Sequence, residues 1–356
     1  MPDLAVVGSG VIGLSLAWQA ARLGLDVTVL DAGDLGGQSS RAAAGILGPL
    51  AESMEDGPFT ALLWAGLQRF PTWIDDLRAD QPLNPEYAAD GISRLVAPEE
   101  ADRLRASLAW RQRYDPAVAL ADAEVPGYAF ALWSPHEGQV YGPRYVRALA
   151  GAAAARGVNF SWGAPVTGFL GGPERVQGVR TTAGAVSATW TVLAAGVWVD
   201  QVLRPLGRSL GVFPVRGQVL AARAPARPFR AVRYSADGYV APKANGLVIV
   251  GATEDGAGFE SHVTLDGVAR LMDRARRLAP DLLHLRFERA WAGLRPATPD
   301  GLPVIGMLPG LDGLAVAAGH YRNGLLLSAL TADIVLHDLV GSPPPAEMDL
   351  SPFRPR

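Results

Sequence analysis

Leu4-Ala5-Val6-Val7-Gly8-Ser9-Gly10-Val11-Ile12-Gly13 decides the fold. Four consecutive apolar residues suit a strand buried on both faces, and the residues after the glycines follow a helical pattern through Leu23. Val27-Thr28-Val29-Leu30 reads as a second, parallel strand that ends at Asp31. Each glycine has a task. Gly8 permits the tight turn, Gly10 lets backbone approach a pyrophosphate, and Gly13 lets helix and strand pack closely. The pyrophosphate then rests on the helix N-terminus, where unpaired N–H groups and the helix dipole favour anions. Gly8, Gly10, Val11, Ile12 and Gly13 are therefore candidate cofactor contacts. Asp31, about 20 residues on, is placed to accept ribose hydroxyls. The fingerprint calls for a dinucleotide and does not separate NAD from FAD.

Beyond Asp31, Gly36-Gly37-Gln38-Ser39-Ser40 leads into Ala42-Ala43-Ala44-Gly45. Such small residues let backbone press against a flat ring or a phosphate, which nominates Ser39, Ser40, Ala44 and Gly45. Residues 59–77 and 97–110 read as helices of an inserted domain, and residues 145–155 as a further helix. Val158 to Ser161 and Pro165 to Gly168 read as strands returning to the nucleotide sheet, which brings Val166 to the cofactor. Residues 176–182 and 185–192 read as short strands. Ala194-Ala195-Gly196-Val197-Trp198 then repeats the order of buried strand, small turn and helix, so Ala195, Gly196 and Trp198 join the candidates. Strand character returns at residues 210–222, 239–242 and 247–252, with a helix over 265–278. Strands and helices segregate here, the mark of an antiparallel sheet roofing a site. A last buried strand over 314–319 precedes His320-Tyr321-Arg322-Asn323-Gly324 and a long apolar helix that begins at Leu325.

Composition removes whole classes of chemistry. The chain has 356 residues, a net charge of -3 and no cysteine. Near-neutral charge argues against a nucleic-acid binder. Without cysteine there are no disulfides, thiolate metal sites or flavin tethered through sulfur. Lys243 is the sole lysine, so a pyridoxal-phosphate enzyme would depend on one strand position. The five histidines never stand three or four apart, which leaves a helical metal site without support. Gly8, Gly10 and Gly13 interrupt the apolar N-terminal run, and no apolar run reaches about 18 residues. The expectation is a cytoplasmic protein with no membrane span.

Taken together, the glycine fingerprint, Arg41-Ala42-Ala43-Ala44-Gly45-Ile46-Leu47, Val250-Gly251-Ala252-Thr253, Trp291-Ala292-Gly293-Leu294-Arg295-Pro296, Asp300-Gly301-Leu302-Pro303-Val304-Ile305-Gly306 and Ala318-Gly319-His320-Tyr321-Arg322-Asn323-Gly324 resemble the D-amino acid oxidase family, glycine oxidases most of all. The resemblance covers nearly the whole chain. It implies an α/β, interleaved two-domain flavoprotein: a Rossmann-like FAD-binding domain (1–45, 143–210 and 295–356) and a substrate domain with an antiparallel sheet (46–142 and 211–294). It implies non-covalent FAD, an amino acid and O2 as reactants, and oxidative deamination with release of hydrogen peroxide. A homo-oligomer is left open. His320, Arg322, Asn323, Gly324 and Leu325 would lie against the flavin.

The residues agree with that chemistry. A substrate carboxylate is best held by a bidentate guanidinium, and an α-carbon hydrogen can leave as hydride to a flavin. Arg295 is the candidate clamp, and the resemblance gives Tyr239 the role of supporting the same carboxylate. Arg322 stands in the last motif, where a surface charge at a helix start is the plainer alternative. No general base is required if the amine binds unprotonated, and the helix beginning near Asn323-Gly324 would direct its positive end at the flavin. Two other readings stay open: a flavin dehydrogenase passing electrons to a quinone, and a non-catalytic FAD-binding protein. Asp237 and Glu254 depart from the family pattern. They are solvated turn residues or carboxylates at the substrate entrance, and in the second case acidic substrates would be disfavoured. Because no cysteine can tether the cofactor, acid precipitation is expected to release flavin into the supernatant; colour retained on the precipitated protein would overturn this.

Overall fold

The computed structural model describes residues 1–36, 38–343 and 348–356, so Gly37 lies outside the described residues. Strand Leu4–Val7 is buried along its whole length, as its unbroken apolar run requires. It pairs in parallel with Val27–Leu30 on one side and Trp190–Leu193 on the other. Asn159–Ser161 extends this sheet beyond Val27–Leu30, and Leu314–Ala318 extends it beyond Trp190–Leu193. Val304–Met307 closes it as an antiparallel edge, giving six strands. Helix Val11–Arg22 starts at the glycine loop and helix Gly324–Val340 follows the Leu314–Ala318 strand.

The stretch after residue 165 departs from expectation. Val166–Gly171 does not rejoin the parallel sheet; it pairs with Val176–Thr181, which pairs in turn with Gly184–Ser187, in a separate three-stranded antiparallel sheet. The expected single strand over 185–192 is two strands in two sheets, because the chain turns at Ala188-Thr189 between them. The helix expected over 97–110 is likewise broken, into Ala101–Ala106 and Leu108–Tyr114.

The second large sheet has eight strands. At one edge Arg286–Ala297 pairs with Phe213–Arg223 almost end to end. Leu247–Gly251, Gly238–Pro242 and Val232–Ser235 follow in antiparallel order. Ile92–Val96, Phe130–Ser134 and Ala119–Ala121 complete it, three strands to which the sequence pattern assigned no element. Val232–Ser235 meets Ile92–Val96 in parallel, so the sheet is mostly antiparallel.

Helix Pro58–Asp80 comes from the inserted segment but packs on the nucleotide side of the molecule. Leu62, Leu67, Phe70, Trp73 and Ile74 share one core with Leu14, Trp18, Leu327 and Leu330. Trp18 and Trp73 meet edge to face at 4.6 Å, and the Trp73 indole donates to the Tyr145 hydroxyl at 2.7 Å. Burying two Trp rings with their N–H groups satisfied adds directional contacts to an apolar interface. Among the described residues, no helix is long and apolar enough to cross a membrane.

Lys243 pins the strand Gly238–Pro242 to the hairpin formed by Ile46–Leu47 and Gly138–Gln139. Its ammonium donates to Gln139 Oε1 at 2.7 Å and to the Val140 carbonyl at 3.1 Å, and the residue is 2% exposed. Burial lowers its pKa to about 7 from the ordinary 10.5. Between those two values the unfolded chain binds more protons than the folded one, so this site's contribution to stability rises with pH. Urea unfolding across this range should show parent stability climbing relative to Lys243→Met, by at most about 1.4 kcal/mol per pH unit. A pH-independent difference would mean that the amine stays charged in the fold.

Candidate active site

One cavity of about 1110 Å³ runs from the glycine loop to the eight-stranded sheet. Single small-molecule sites take roughly 300–1,000 Å³. There is room for a dinucleotide and a second, small ligand. At one end the wall is Gly8, Gly10, Val11, Ile12 and Asp31. Gly8 has φ +110°, and a Cβ there would lie 2.4 Å from the Ala194 carbonyl. A Cβ on Gly13 would lie 1.9 Å from the Gly8 carbonyl, so Gly13 stands behind the wall and lets the helix close on the strand. A Cβ on Gly10 would approach only Ser40 Oγ, at 3.4 Å, and would otherwise project into open space. Asp31 accepts from the Ser9 amide at 2.6 Å and the Ser9 hydroxyl at 2.7 Å, which locks the loop to the second strand. Ser40 Oγ accepts from the Val11 amide at 3.0 Å, and Ser39 donates to the Leu294 carbonyl. Ala44, Gly45, Val166, Ala195, Gly196 and Trp198 continue the wall.

At the other end the sheet supplies the charged groups. Arg295 projects from Arg286–Ala297, and its guanidinium lies where a side chain at residue 217 would be, 2.3 Å from a Cβ built on Gly217. Nη1 donates to the Thr253 carbonyl at 3.0 Å. Tyr239 lies over Gly251 in the same way, its hydroxyl 2.3 Å from a Cβ built there. Burial pushes the Tyr239 phenol up to about 12, against the opposing pull of Arg295, so it stays a neutral donor. Tyr321 has φ +47°, a left-handed conformation that is uncommon for a side chain of this size, and its amide donates to the Pro296 carbonyl at 2.9 Å. That turn delivers Arg322 to the cavity, where it pairs with Glu254 at 3.0 Å. His320, Gly324 and Leu325 also line the wall, whereas Asn323 serves as the N-cap of the last helix. His320 bonds Thr331 Oγ1 at 3.0 Å, and burial lowers its pKa to about 3, so the ring is neutral.

Sequence reading missed Glu52. It lines the cavity at the end of the single-turn helix Pro49–Glu52, which is clamped at both ends. The Glu137 carboxylate accepts from the Leu50 and Ala51 amides, while Arg94 donates to the Ala51 carbonyl at 2.7 Å and Arg111 to the Leu50 carbonyl at 3.0 Å. These three charged side chains are at most 2% exposed. Glu52 has no ion-pair partner within 4 Å among the described residues. Burial raises its pKa, with Arg322, Arg94 and Arg295 opposing at longer range. A glutamate at the end of one turn has no sequence signature; only the surrounding fold makes it a cavity residue. Gly217 was missed for a similar reason, since its partner Arg295 belongs to a neighbouring strand.

Asp237 and Glu254 both reach the cavity wall, and each is balanced there. Asp237 lies 3.3 Å from Arg277, and Glu254 is held by Arg322. Both are about half exposed, with side-chain exposures of 63% and 48%. Neither carboxylate therefore stands at the cavity wall without a guanidinium beside it.

Residues 3–337 match the model of the FAD dependent oxidoreductase family. The chain belongs to that family. It is 33% identical over 363 residues to the glycine oxidase of Geobacillus kaustophilus, covering 99% of this chain and 96% of that protein. To the glycine oxidase of Pseudomonas putida it is 34% identical over 365 residues, covering 99% and 98%. The crystal structure of the Geobacillus kaustophilus enzyme superposes with a TM-score of 0.93 at 32% identity over 100% of this chain and 98% of that one. The fold is thus that of glycine oxidase structures, a parallel Rossmann-like sheet with a mostly antiparallel second sheet. The family's FAD fits the residues present. The open space at Gly10, a helix whose N-cap glycine carries no capping side chain, and a carboxylate at the end of the second strand make an anion-and-ribose cradle.

Proposed function

We propose that this protein is an FAD-dependent oxidase of glycine or small D-amino acids, releasing the oxo acid, ammonia and hydrogen peroxide. The observation that carries the reading is the placement of Arg295 and Tyr239 in the same cavity as the glycine loop. On this reading FAD is bound non-covalently by Gly8, Gly10, Val11, Ile12, Asp31, Ser39 and Ser40 at the nucleotide end. Segments 1–45, 143–210 and 295–356 serve the cofactor, and 46–142 with 211–294 serve the substrate.

FAD, when bound, supplies the two-electron acceptor that O2 reoxidises. The protein's part is to hold the amine. Arg295 offers a carboxylate a charged, planar donor pair, and the neutral Tyr239 hydroxyl donates beside it. Glu52 is the anionic counterpart for the substrate ammonium. An amine gives up its α-hydrogen as hydride only after it has lost its own proton, and the raised pKa of Glu52 suits it to take that proton. Neutral His320 keeps a competing cation away from the wall, and the first turn of Gly324–Val340 borders the cavity with its positive end. Among the described residues no cluster could hold a metal ion.

Under anaerobic conditions glycine or D-alanine should bleach the yellow parent, with peroxide appearing once air is admitted. Arg295→Ala should stay folded and yellow but lose about 30-fold or more in kcat/KM, since an unpaired buried carboxylate costs about 2 to 5 kcal/mol. A parent that no amine bleaches would sink the reading, and an unimpaired variant would move the clamp to Arg322.

Glu52 has its own signature in pH. As a proton acceptor it works only when ionised, so kcat/KM in the parent should rise with pH through a carboxyl pKa above the ordinary range. In Glu52→Gln that limb should vanish, with a loss of roughly 100-fold near neutrality. An unchanged profile would remove Glu52 from the proton path.

A further inference from the structure

Arg274 stands on helix Leu265–Leu278 and lines the cavity beside Ala236, Asp237 and Gly238, the turn that leads into Tyr239. Its stem is fixed there: a Cβ on Gly238 would lie 2.9 Å from Arg274 Cδ and 3.2 Å from Nε. The head group has no carboxylate within 4 Å among the described residues, and Nη1 is buried without a hydrogen-bond partner. Every acid around it is engaged elsewhere. Asp237 faces Arg277 at 3.3 Å, Glu254 faces Arg322 at 3.0 Å, and Asp255 takes Arg270 at 2.7 Å together with Thr253 and Gln218. Asp266 is also held by Arg270, at 2.9 Å. Arg274 is therefore a guanidinium in the wall whose buried Nη1–H costs stability until something accepts from it. Burial and the neighbouring Arg270 and Arg277 depress its pKa, and an arriving anion would relieve both.

We propose that Arg274 is a second anion subsite that receives the distal acidic group of a dicarboxylic amino substrate, while Arg295 holds the first carboxylate. The distal carboxylate can be carried on the side chain, as in D-glutamate, or on the nitrogen, as in N-carboxymethylglycine. This rests on the oxidase reading and narrows its substrate class. Arg274 packs on Gly238, the residue before Tyr239, and its guanidinium shares one cavity with Tyr239 and Arg295. A ligand with an acid at each end answers both.

The test uses the FAD-loaded enzyme and two readouts. In the first, the flavin absorption band is titrated with glutarate and with butyrate, neither of which is oxidised. The parent should bind glutarate more tightly, and in Arg274→Gln that advantage should shrink about tenfold or more, with Arg274→Lys retaining part of it. In the second, the ratio of kcat/KM for D-glutamate or N-carboxymethylglycine to that for glycine should fall by a similar factor in Arg274→Gln, and the compound affected more tells which branch reaches the subsite. A glutarate advantage absent from the parent, or equal in parent and Arg274→Gln, overturns the subsite even if glycine is oxidised. An advantage that depends on Arg274 in a protein that turns over no amine upholds the subsite and removes the oxidase reading instead.

Discussion

A guanidinium that must face a ligand needs a floor without side chains. Gly217 supplies it for Arg295, and the pairing of Phe213–Arg223 with Arg286–Ala297 at one edge of the eight-stranded sheet brings these residues together. Arg295 sits near the end of Arg286–Ala297, just before the chain enters the loop to the edge strand of the parallel sheet. One strand thus reaches from the roof of the site toward the nucleotide layer. The Ser39 bond to the Leu294 carbonyl fastens the cofactor loop to that strand, one residue from the clamp. A shift in this strand pair would move the Arg295 guanidinium and the Ser39 segment of the cavity wall together.

Charge in the cavity is arranged by neutralising what is not meant for a ligand. Asp237 and Glu254 are paired by Arg277 and Arg322, while Asp255 is tied down by Arg270, Gln218 and Thr253, and its pKa falls to about 2. The Thr253 hydroxyl that donates to Asp255 belongs to the residue whose carbonyl accepts from Arg295, so this network steadies the clamp from behind. Arg295, Glu52 and Arg274 are among the lining groups that have no ion-pair partner within 4 Å among the described residues. A buried or half-buried charge kept unpaired is costly, and sites that tolerate the cost are the ones that gain when a ligand arrives.

Glu52 shows how far local structure can be made to depend on remote residues. A four-residue helix has no stability of its own. Here Glu137 accepts from its first amides, and Arg94 and Arg111 occupy its carbonyls, with all three polar groups sealed from solvent. The first comes from a loop after Phe130–Ser134, the second from Ile92–Val96 and the third from Leu108–Tyr114. Strands that the sequence pattern left unassigned therefore help to frame this carboxylate.

What the sequence alone determined is whatever one short stretch encodes by its own sterics. The glycine loop, the run Leu4–Val7, the terminal acid Asp31 and the helix Leu265–Leu278 stand as read, because positive φ, burial on both faces and helical periodicity are properties of neighbouring residues. The order of motifs likewise pointed to the family. Tertiary structure alone decided which strand joined which sheet, as at Val166–Gly171 and Ile92–Val96, since a strand's partner is chosen by distant residues competing for its backbone groups. It also decided the charge of the site. Asp237 and Glu254 look like free carboxylates in the sequence, yet arginines 40 and 68 residues away cancel them, while Arg274 looks like one of many surface arginines and is left without a partner. Electrostatics depends on distance in space, and no spacing along the chain records it.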